Sequence, residues 1–346
     1  MTGERATSSA GQKPVLVVED LQVVYETPAG PAKAVDHVSF SLRPGERLGL
    51  IGESGSGKTT IATALMRLTR APGRIVGGKI LLDGADVMQM TPTQLRASRL
   101  KDIALMPQGA MSSLNPVMQL EGQIIDAIVA HSPKMSRAAL DARVDALLAQ
   151  VGLNPEVRRR YPHELSGGMK QRAVMAIATS MQPKVIVADE PTSALDVVVQ
   201  RQVMQTLGRL QGGLGAAVVL IGHDMGLIAQ FADIVGVMYA GKLVEIGPVS
   251  QVIDAPRHPY TRLLIDSLPR IDIKKPLTGI RGLPPHLIDL PPGCGFGPRC
   301  PYAFDRCSLE TPSMQDVAPA QKAACHLYPR NKSLPPLSAR AERAQA

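Results

Sequence analysis

Apolar positions along the chain fall into two rhythms. Short continuous apolar runs cover residues 48–51, 103–106, 185–188, 216–221 and 234–239, the length and make-up of strands buried on both faces. Residues 15–25, 38–42 and 80–82 read as further strands, with a turn at Thr27-Pro28-Ala29-Gly30-Pro31 and another at Arg43-Pro44-Gly45-Glu46. The second rhythm is helical: Ile124, Ile125 and Ile128 recur at turn spacing, and so do Leu140, Val144, Leu147, Leu148 and Val151. The stretch from about residue 120 to 181 therefore reads as helical, and helices also separate the later strands. Alternation of strand and helix predicts an α/β fold: a mainly parallel, helix-covered sheet carrying a helical insert.

At 346 residues the chain is long enough for one sizeable domain and a smaller one. No apolar run approaches the ~18–20 residues of a membrane span. Residues 1–14 are polar and lack an apolar stretch, so they read as a tail and not as a signal peptide. The expectation is a soluble protein of the cytosol. Beyond residue 268 Pro276, Pro284, Pro285, Pro291 and Pro292 interrupt any long helix, and all four cysteines fall between Cys294 and Cys325. A second, small domain is expected over 269–330, then a polar tail over 331–346.

The net charge is +8, Trp is absent and aromatic residues make up 3% of the chain. So few aromatic rings argue against the base-stacking platforms of single-strand nucleic-acid binders. The basic balance suits an anionic cofactor or the inner face of a membrane.

The candidate chemistry begins directly after the 48–51 run, at Gly52-Glu53-Ser54-Gly55-Ser56-Gly57-Lys58-Thr59-Thr60. This is G-x-x-x-x-G-K-[ST] between a predicted strand and a predicted helix, the setting a phosphate-binding loop needs. Gly52, Gly55 and Gly57, with Ser54 and Ser56 between them, let successive N–H groups turn inward at phosphate oxygens. The following helix N-terminus favours negative charge. Lys58 can reach the β- and γ-phosphates, and the Thr59 hydroxyl is a natural Mg²⁺ ligand.

The strand at 185–188 ends in Asp189 and Glu190, and ligands of such sheets bind at the carboxyl ends of strands. Asp189 can hold Mg²⁺, and Glu190 can polarise an attacking water as general base. A second anion-binding helix end is read at Leu165-Ser166-Gly167-Gly168-Met169-Lys170-Gln171, where Ser166 suits an N-cap and two glycines leave N–H groups bare.

In this order and spacing the motifs resemble the ATP-binding subunit of an ABC transporter. The loop at 52–60 and Asp189-Glu190 match Walker A and Walker B, and 165–171 matches the signature motif. Gln108 matches the Q-loop glutamine, Ser193-Ala194-Leu195-Asp196 the D-loop, His223 the switch histidine, and Tyr25 the aromatic that stacks on adenine. The resemblance implies an ABC-type nucleotide-binding domain over 15–268, a mixed-sheet core with a helical subdomain at about 115–182. It implies ATP and Mg²⁺ as ligands, with Gln108 beside the Mg²⁺ site, and two cassettes closing head to tail. Lys58 and Thr59 of one would then share each ATP with Ser166 and Gly168 of the other.

Gln108-Gly109-Ala110-Met111-Ser112-Ser113-Leu114-Asn115-Pro116, His258-Pro259-Tyr260-Thr261, Pro291-Pro292-Gly293-Cys294 and Arg299-Cys300-Pro301 resemble the peptide/nickel importer branch. That resemblance implies a peripheral protein on the cytoplasmic side of the cytoplasmic membrane. Its partners would be two transmembrane permease subunits, a second ATPase subunit (a copy or a relative) and an extracytoplasmic solute-binding protein.

Cys294, Cys300, Cys307 and Cys325 follow C-x5-C-x6-C-x17-C. Clustered thiols in a cytosolic protein point to a metal or cluster before disulfides. Without C-x2-C knuckles, four thiolates suit a 4Fe–4S iron–sulfur cluster better than zinc, the alternative, with free thiols or disulfides left as the third reading. The rival function is a soluble ABC ATPase acting on nucleic acid or ribosomes. It is disfavoured because no long heptad run lies between Lys58 and Ser166 and only one cassette is present.

Overall fold

The computed structural model describes residues 12–109, 113–267 and 279–328. The tail at 1–11, Ala110, Met111 and Ser112 of the Gln108 motif, the expected domain boundary at 268/269 and the tail beyond 328 lie outside the described residues.

Among the described residues the strands form two sheets. The first is antiparallel in the order β2-β1-β4-β5, with β1 Leu16–Thr27, β2 Gly30–Leu42, β4 Gly73–Leu82 and β5 Ala85–Asp86. The second holds β3 Arg47–Ile51, β6 Ile103–Met106, β7 Val185–Asp189, β8 Ala217–Ile221, β9 Ile234–Tyr239, β10 Lys242–Pro248, β11 Gln315–Ala318 and β12 Gln321–Ala323. Its order is β11-β12-β10-β9-β3-β8-β7-β6, parallel from β9 to β6 and antiparallel from β9 to β11.

The continuous apolar runs are explained by this arrangement. Every residue of β7 and β8 is buried, because both faces of the sheet are covered. Successive side chains go to opposite faces: Val185 and Val187 join the core shared with the antiparallel sheet, Ile186 and Ala188 the core under the helices. The helical insert supplies Leu120–Val129, Arg137–Gln150 and Gly167–Ala178, and its apolar stripe of Ile124, Ile128, Leu140, Val144, Leu147 and Leu148 packs into that second core.

The Cys-rich region is not an independent body beside this core. Strand β12 pairs with β10, with Glu245 opposite Ala323, so the main sheet continues into it. Phe296 is 1% exposed inside the main core, and Cys294 and Cys300 pack against the same cluster. The proline interruptions predicted a second domain because they stop long helices. They do not stop edge strands from extending a neighbouring sheet.

Candidate functional site

The loop after β3 owes its path to glycine. Gly57 has φ +101°, and a Cβ there would lie 2.0 Å from the Ala34 carbonyl oxygen; at Gly52, φ +149°, it would lie 2.1 Å from that of Met238. With Gly57 as N-cap, the helix Lys58–Leu65 starts under the loop and aims its free N–H groups into it. Lys58 folds back, donating from Nζ to Gly52 O at 2.8 Å, Glu53 O at 2.9 Å and Ser56 Oγ at 3.1 Å. Its side chain is buried, and burial lowers its pKa against the pull of Glu190, Asp189 and Glu53.

Strand ends bring the carboxylates to the same place. Asp189 Oδ1 accepts from Thr59 Oγ1 at 3.2 Å. Burial pushes the Asp189 pKa up to about 6, against the Thr59 hydrogen bond, and neighbouring Glu190 pushes it the same way. A buried carboxylate opposite a hydroxyl is a donor pair that fits a divalent cation. Glu190 adopts φ +47°, a left-handed conformation costly for a side-chain-bearing residue, with its N–H donated to Ile221 O at 2.9 Å. Its carboxylate accepts from Gln108 Nε2 at 3.1 Å and lies 3.6 Å from His223 Nδ1. His223 is otherwise open to solvent.

One cleft of about 300 Å³ is lined by Tyr25, Ser54, Gly55, Gly57, Lys58, Thr59, Thr60, Gln108 and Glu190. The residues read from the sequence on either side of the P-loop thus converge. Gly52, Ser56, Asp189 and His223 touch the cleft's lining residues Lys58, Thr59 and Glu190 without lining it, and Ser166, Gly167, Gly168, Gln171 and Asp196 do not line it either. Ser166 caps the helix Gly167–Ala178, accepting from Met169 N at 3.3 Å, and Asp196 caps Val197–Leu214, accepting from Val198 N and Val199 N. The two helices meet where a Cβ on Gly168 would lie 2.5 Å from Val199 Cγ1, while Gln171 is buried.

A model of the family described as "ABC transporter" matches residues 35–193. The oligopeptide transport ATP-binding protein OppD of Escherichia coli is 42% identical over 90% of this chain and 92% of its own length. This chain belongs to the ABC transporter family. As a member of that family it is a transport ATPase. A second model, "Oligopeptide/dipeptide transporter, C-terminal region", matches residues 244–307. The Escherichia coli dipeptide transport ATP-binding protein DppD is 40% identical over 91% of this chain and 97% of its own. Among solved structures, an ATP-binding cassette in a dimeric post-hydrolysis state bound to ADP and Pi superposes with a TM-score of 0.61 at 25% identity, covering 68% of this chain and 98% of that one. Among the described residues of this ABC protein, no helix is long and apolar enough to cross a membrane.

The four cysteines line one pocket of about 10 Å³, together with His258 and His326. None is in a disulfide. Burial pushes Cys300 and Cys325 up to about 12 and raises Cys294, and the other thiols add to each shift. The expectation of an assembled iron–sulfur or zinc site is not met in the geometry: among the described residues no three His, Cys, Asp or Glu are arranged to hold a metal ion. The space between the thiols is water-sized. His326 is turned to the Glu310 carbonyl oxygen at 2.8 Å.

Sequence reasoning missed the residues that reach the P-loop from the C-terminal region. Leu287 lines the same cleft as Tyr25, and Tyr260 and Arg299 bind Glu53. The motifs that hold Tyr260 and Arg299 stood out in the sequence and Leu287 did not, and only the fold brings the three to the loop.

Proposed function

We propose that this ABC protein is the ATP-hydrolysing subunit of an importer of di- or oligopeptides or a related solute, peripheral on the cytoplasmic side of the membrane. The observation that carries this is a peptide-transporter C-terminal match joined to an ABC core, at 42% identity to a peptide-transport ATP-binding protein. The partners proposed are two transmembrane permease subunits, a second ATPase subunit and an extracytoplasmic solute-binding protein.

In this reading Tyr25 stacks on adenine. Gly52, Ser54, Gly55, Ser56, Gly57 and Thr60 line the phosphate path with backbone N–H groups, and Lys58 exchanges its carbonyl partners for β- and γ-phosphate oxygens. Thr59, Asp189 and Gln108 would hold Mg²⁺, which supplies charge neutralisation for the phosphates when bound. Glu190, oriented by Gln108, takes the proton of the attacking water, and His223 donates to the γ-phosphate. Ser166, Gly167 and Gly168 serve the nucleotide of the partner cassette, with Gln171 and Asp196 shaping that face.

For the cysteines we keep a thiolate-ligated group, a 4Fe–4S cluster before zinc, on donor type alone. Burial raises the pKa of Cys294, Cys300 and Cys325 and neighbouring thiols add to it, so a cation in place of their protons would favour the thiolates. Metal and sulfide analysis of anaerobically purified protein tests it, and absence of iron, sulfide and zinc removes it.

The experiment for the function is a mild-detergent purification of the tagged native chain, with co-purifying proteins identified by mass spectrometry. Two polytopic permeases with a second cassette support the importer. Recovery only with ribosomes, nucleic acid or itself moves the function to a soluble ATPase.

A further inference from the structure

Glu53 is the first variable position of the P-loop, and all of its polar groups are held. Its N–H donates to Tyr260 Oη at 2.9 Å and its C=O accepts from Lys58 Nζ at 2.9 Å. Its carboxylate takes both arms of the Arg299 guanidinium, at 2.8 and 3.0 Å. Such a fork fixes direction as well as distance.

Arg299 is itself rigidly placed. Its side chain is 7% exposed, Nη1 also donates to Tyr239 Oη at 3.1 Å, and Nε donates to Arg281 O at 2.9 Å. The rings of Tyr239, Tyr260 and Phe296 interlock at centroid distances of 4.7, 5.2 and 5.4 Å. The start of the Tyr260 helix is pinned in turn by fully buried Glu245, whose oxygens accept from Arg257 N, His258 N and Gln321 Nε2, each at 2.8 Å. The contacts to Glu53 therefore come from a region more than two hundred positions along the chain, and that region is anchored to the main sheet.

A carboxylate next to a loop that must accept a polyphosphate is unfavourable unless its charge is cancelled. A glycine-rich loop is also free to leave the cradle conformation unless something holds it. Arg299 does both. We propose that Arg299 is a positioning residue for nucleotide binding: through its fork to Glu53 it holds the P-loop in the phosphate-cradling geometry and neutralises the one acidic side chain of the loop. Affinity for Mg-ATP then depends on the C-terminal region, which by itself contains no P-loop residue. Pro284, Pro285, His286 and Leu287 of the same region share a pocket with Glu53, Ser54, Gly55 and Ser56, so the region also covers the loop from outside.

The inference rests on nucleotide binding at the P-loop. Its test is equilibrium binding of a fluorescent ATP analogue with Mg²⁺, and KM and kcat for ATP, on the full chain. Arg299→Met is expected to raise Kd and KM about tenfold with kcat within about twofold, since a charged hydrogen-bonded pair is lost and Glu53 is left bare. Arg299→Lys is expected to fall between wild type and Arg299→Met. Adding Glu53→Gln to Arg299→Met is expected to recover only part of the affinity, the share owed to the uncancelled charge, because the fork that holds the loop stays lost. Should Arg299→Met fail to fold, Glu53→Asp shortens the fork while keeping its charges and is expected to raise KM in the same direction. Unchanged KM in these variants, or a loss of kcat at constant KM, overturns the positioning role. A wild-type chain that binds no Mg-ATP overturns the nucleotide reading itself.

Discussion

Gln108 and Glu190 are joined by a hydrogen bond of 3.1 Å, Nε2 to Oε2, across the ends of the neighbouring strands β6 and β7. His223 Nδ1 lies 3.6 Å from the other oxygen, so the Glu190 carboxylate, which lines the cleft, has a polar neighbour on each side. Replacing it with the isosteric amide keeps the shape and removes the base. Glu190→Gln is expected to bind Mg-ATP within about threefold of wild type and to lose roughly 10²–10⁴-fold in kcat. Steady-state hydrolysis beside equilibrium binding checks this, and near-normal turnover refutes the assignment of Glu190 as base.

The cradle depends on Gly57 having no side chain. At φ +101°, with the Ala34 carbonyl oxygen 2.0 Å from any added Cβ, alanine forces the loop off its path. Gly57→Ala is expected to weaken nucleotide binding by more than about tenfold, with an unchanged far-ultraviolet circular dichroism spectrum. Binding at wild-type strength would mean that the loop geometry is not what selects phosphate.

Gly168 separates binding from turnover. Its position is not in this chain's cleft, and a Cβ there would press on Val199 Cγ1 at 2.5 Å, at the start of the helix that Asp196 caps. Gly168→Leu is therefore expected to leave ATP affinity of the single chain within about twofold and to cut hydrolysis by about tenfold or more, because the second half of each site is spoiled. Loss of affinity in the isolated chain would contradict a shared site.

Stability should fall in mild acid through His258. The ring is buried, and burial pushes its pKa down to about 3, while Nδ1 accepts from Tyr260 N at 3.1 Å. The unfolded chain takes up that proton near pH 6.5, so below this pH the unfolded state binds more protons than the folded one. The contribution of neutral His258 is complete above about pH 6.5 and is lost progressively as pH falls towards 3. From pH 7.5 to 5.5 the loss is on the order of 1 kcal/mol. Asn can still accept the Tyr260 N–H and does not titrate. Urea unfolding of His258→Asn is therefore expected to show a pH dependence smaller by that amount.

Much of the cleft was legible in the sequence because its residues sit at strand ends and on one glycine loop. Asp189 and Glu190 directly follow, and Lys58 and Thr59 follow by way of the glycine loop, short apolar runs of the length of buried parallel strands, and such strands deliver their C-terminal residues to one edge. The C-terminal region was less legible. Its prolines and cysteines read as a separate domain, yet β11 and β12 extend the main sheet, because three or four residues of edge strand carry too little pattern to be seen. The Arg299–Glu53 pair was invisible for a different reason: side chains 246 positions apart meet only once the sheet is assembled. That the four cysteines line one pocket agrees with their clustering in the sequence, whereas the geometry does not show a metal site among them.

The central claim, that this ATPase drives peptide import, is tested most directly by hydrolysis in the assembled complex. The complex recovered in mild detergent would be reconstituted in lipid with its binding protein and assayed against di- and oligopeptides and unrelated solutes. Severalfold stimulation by peptides, abolished by Glu190→Gln, is the predicted result. Stimulation by nucleic acid, with none by peptides or any other solute, would contradict the account.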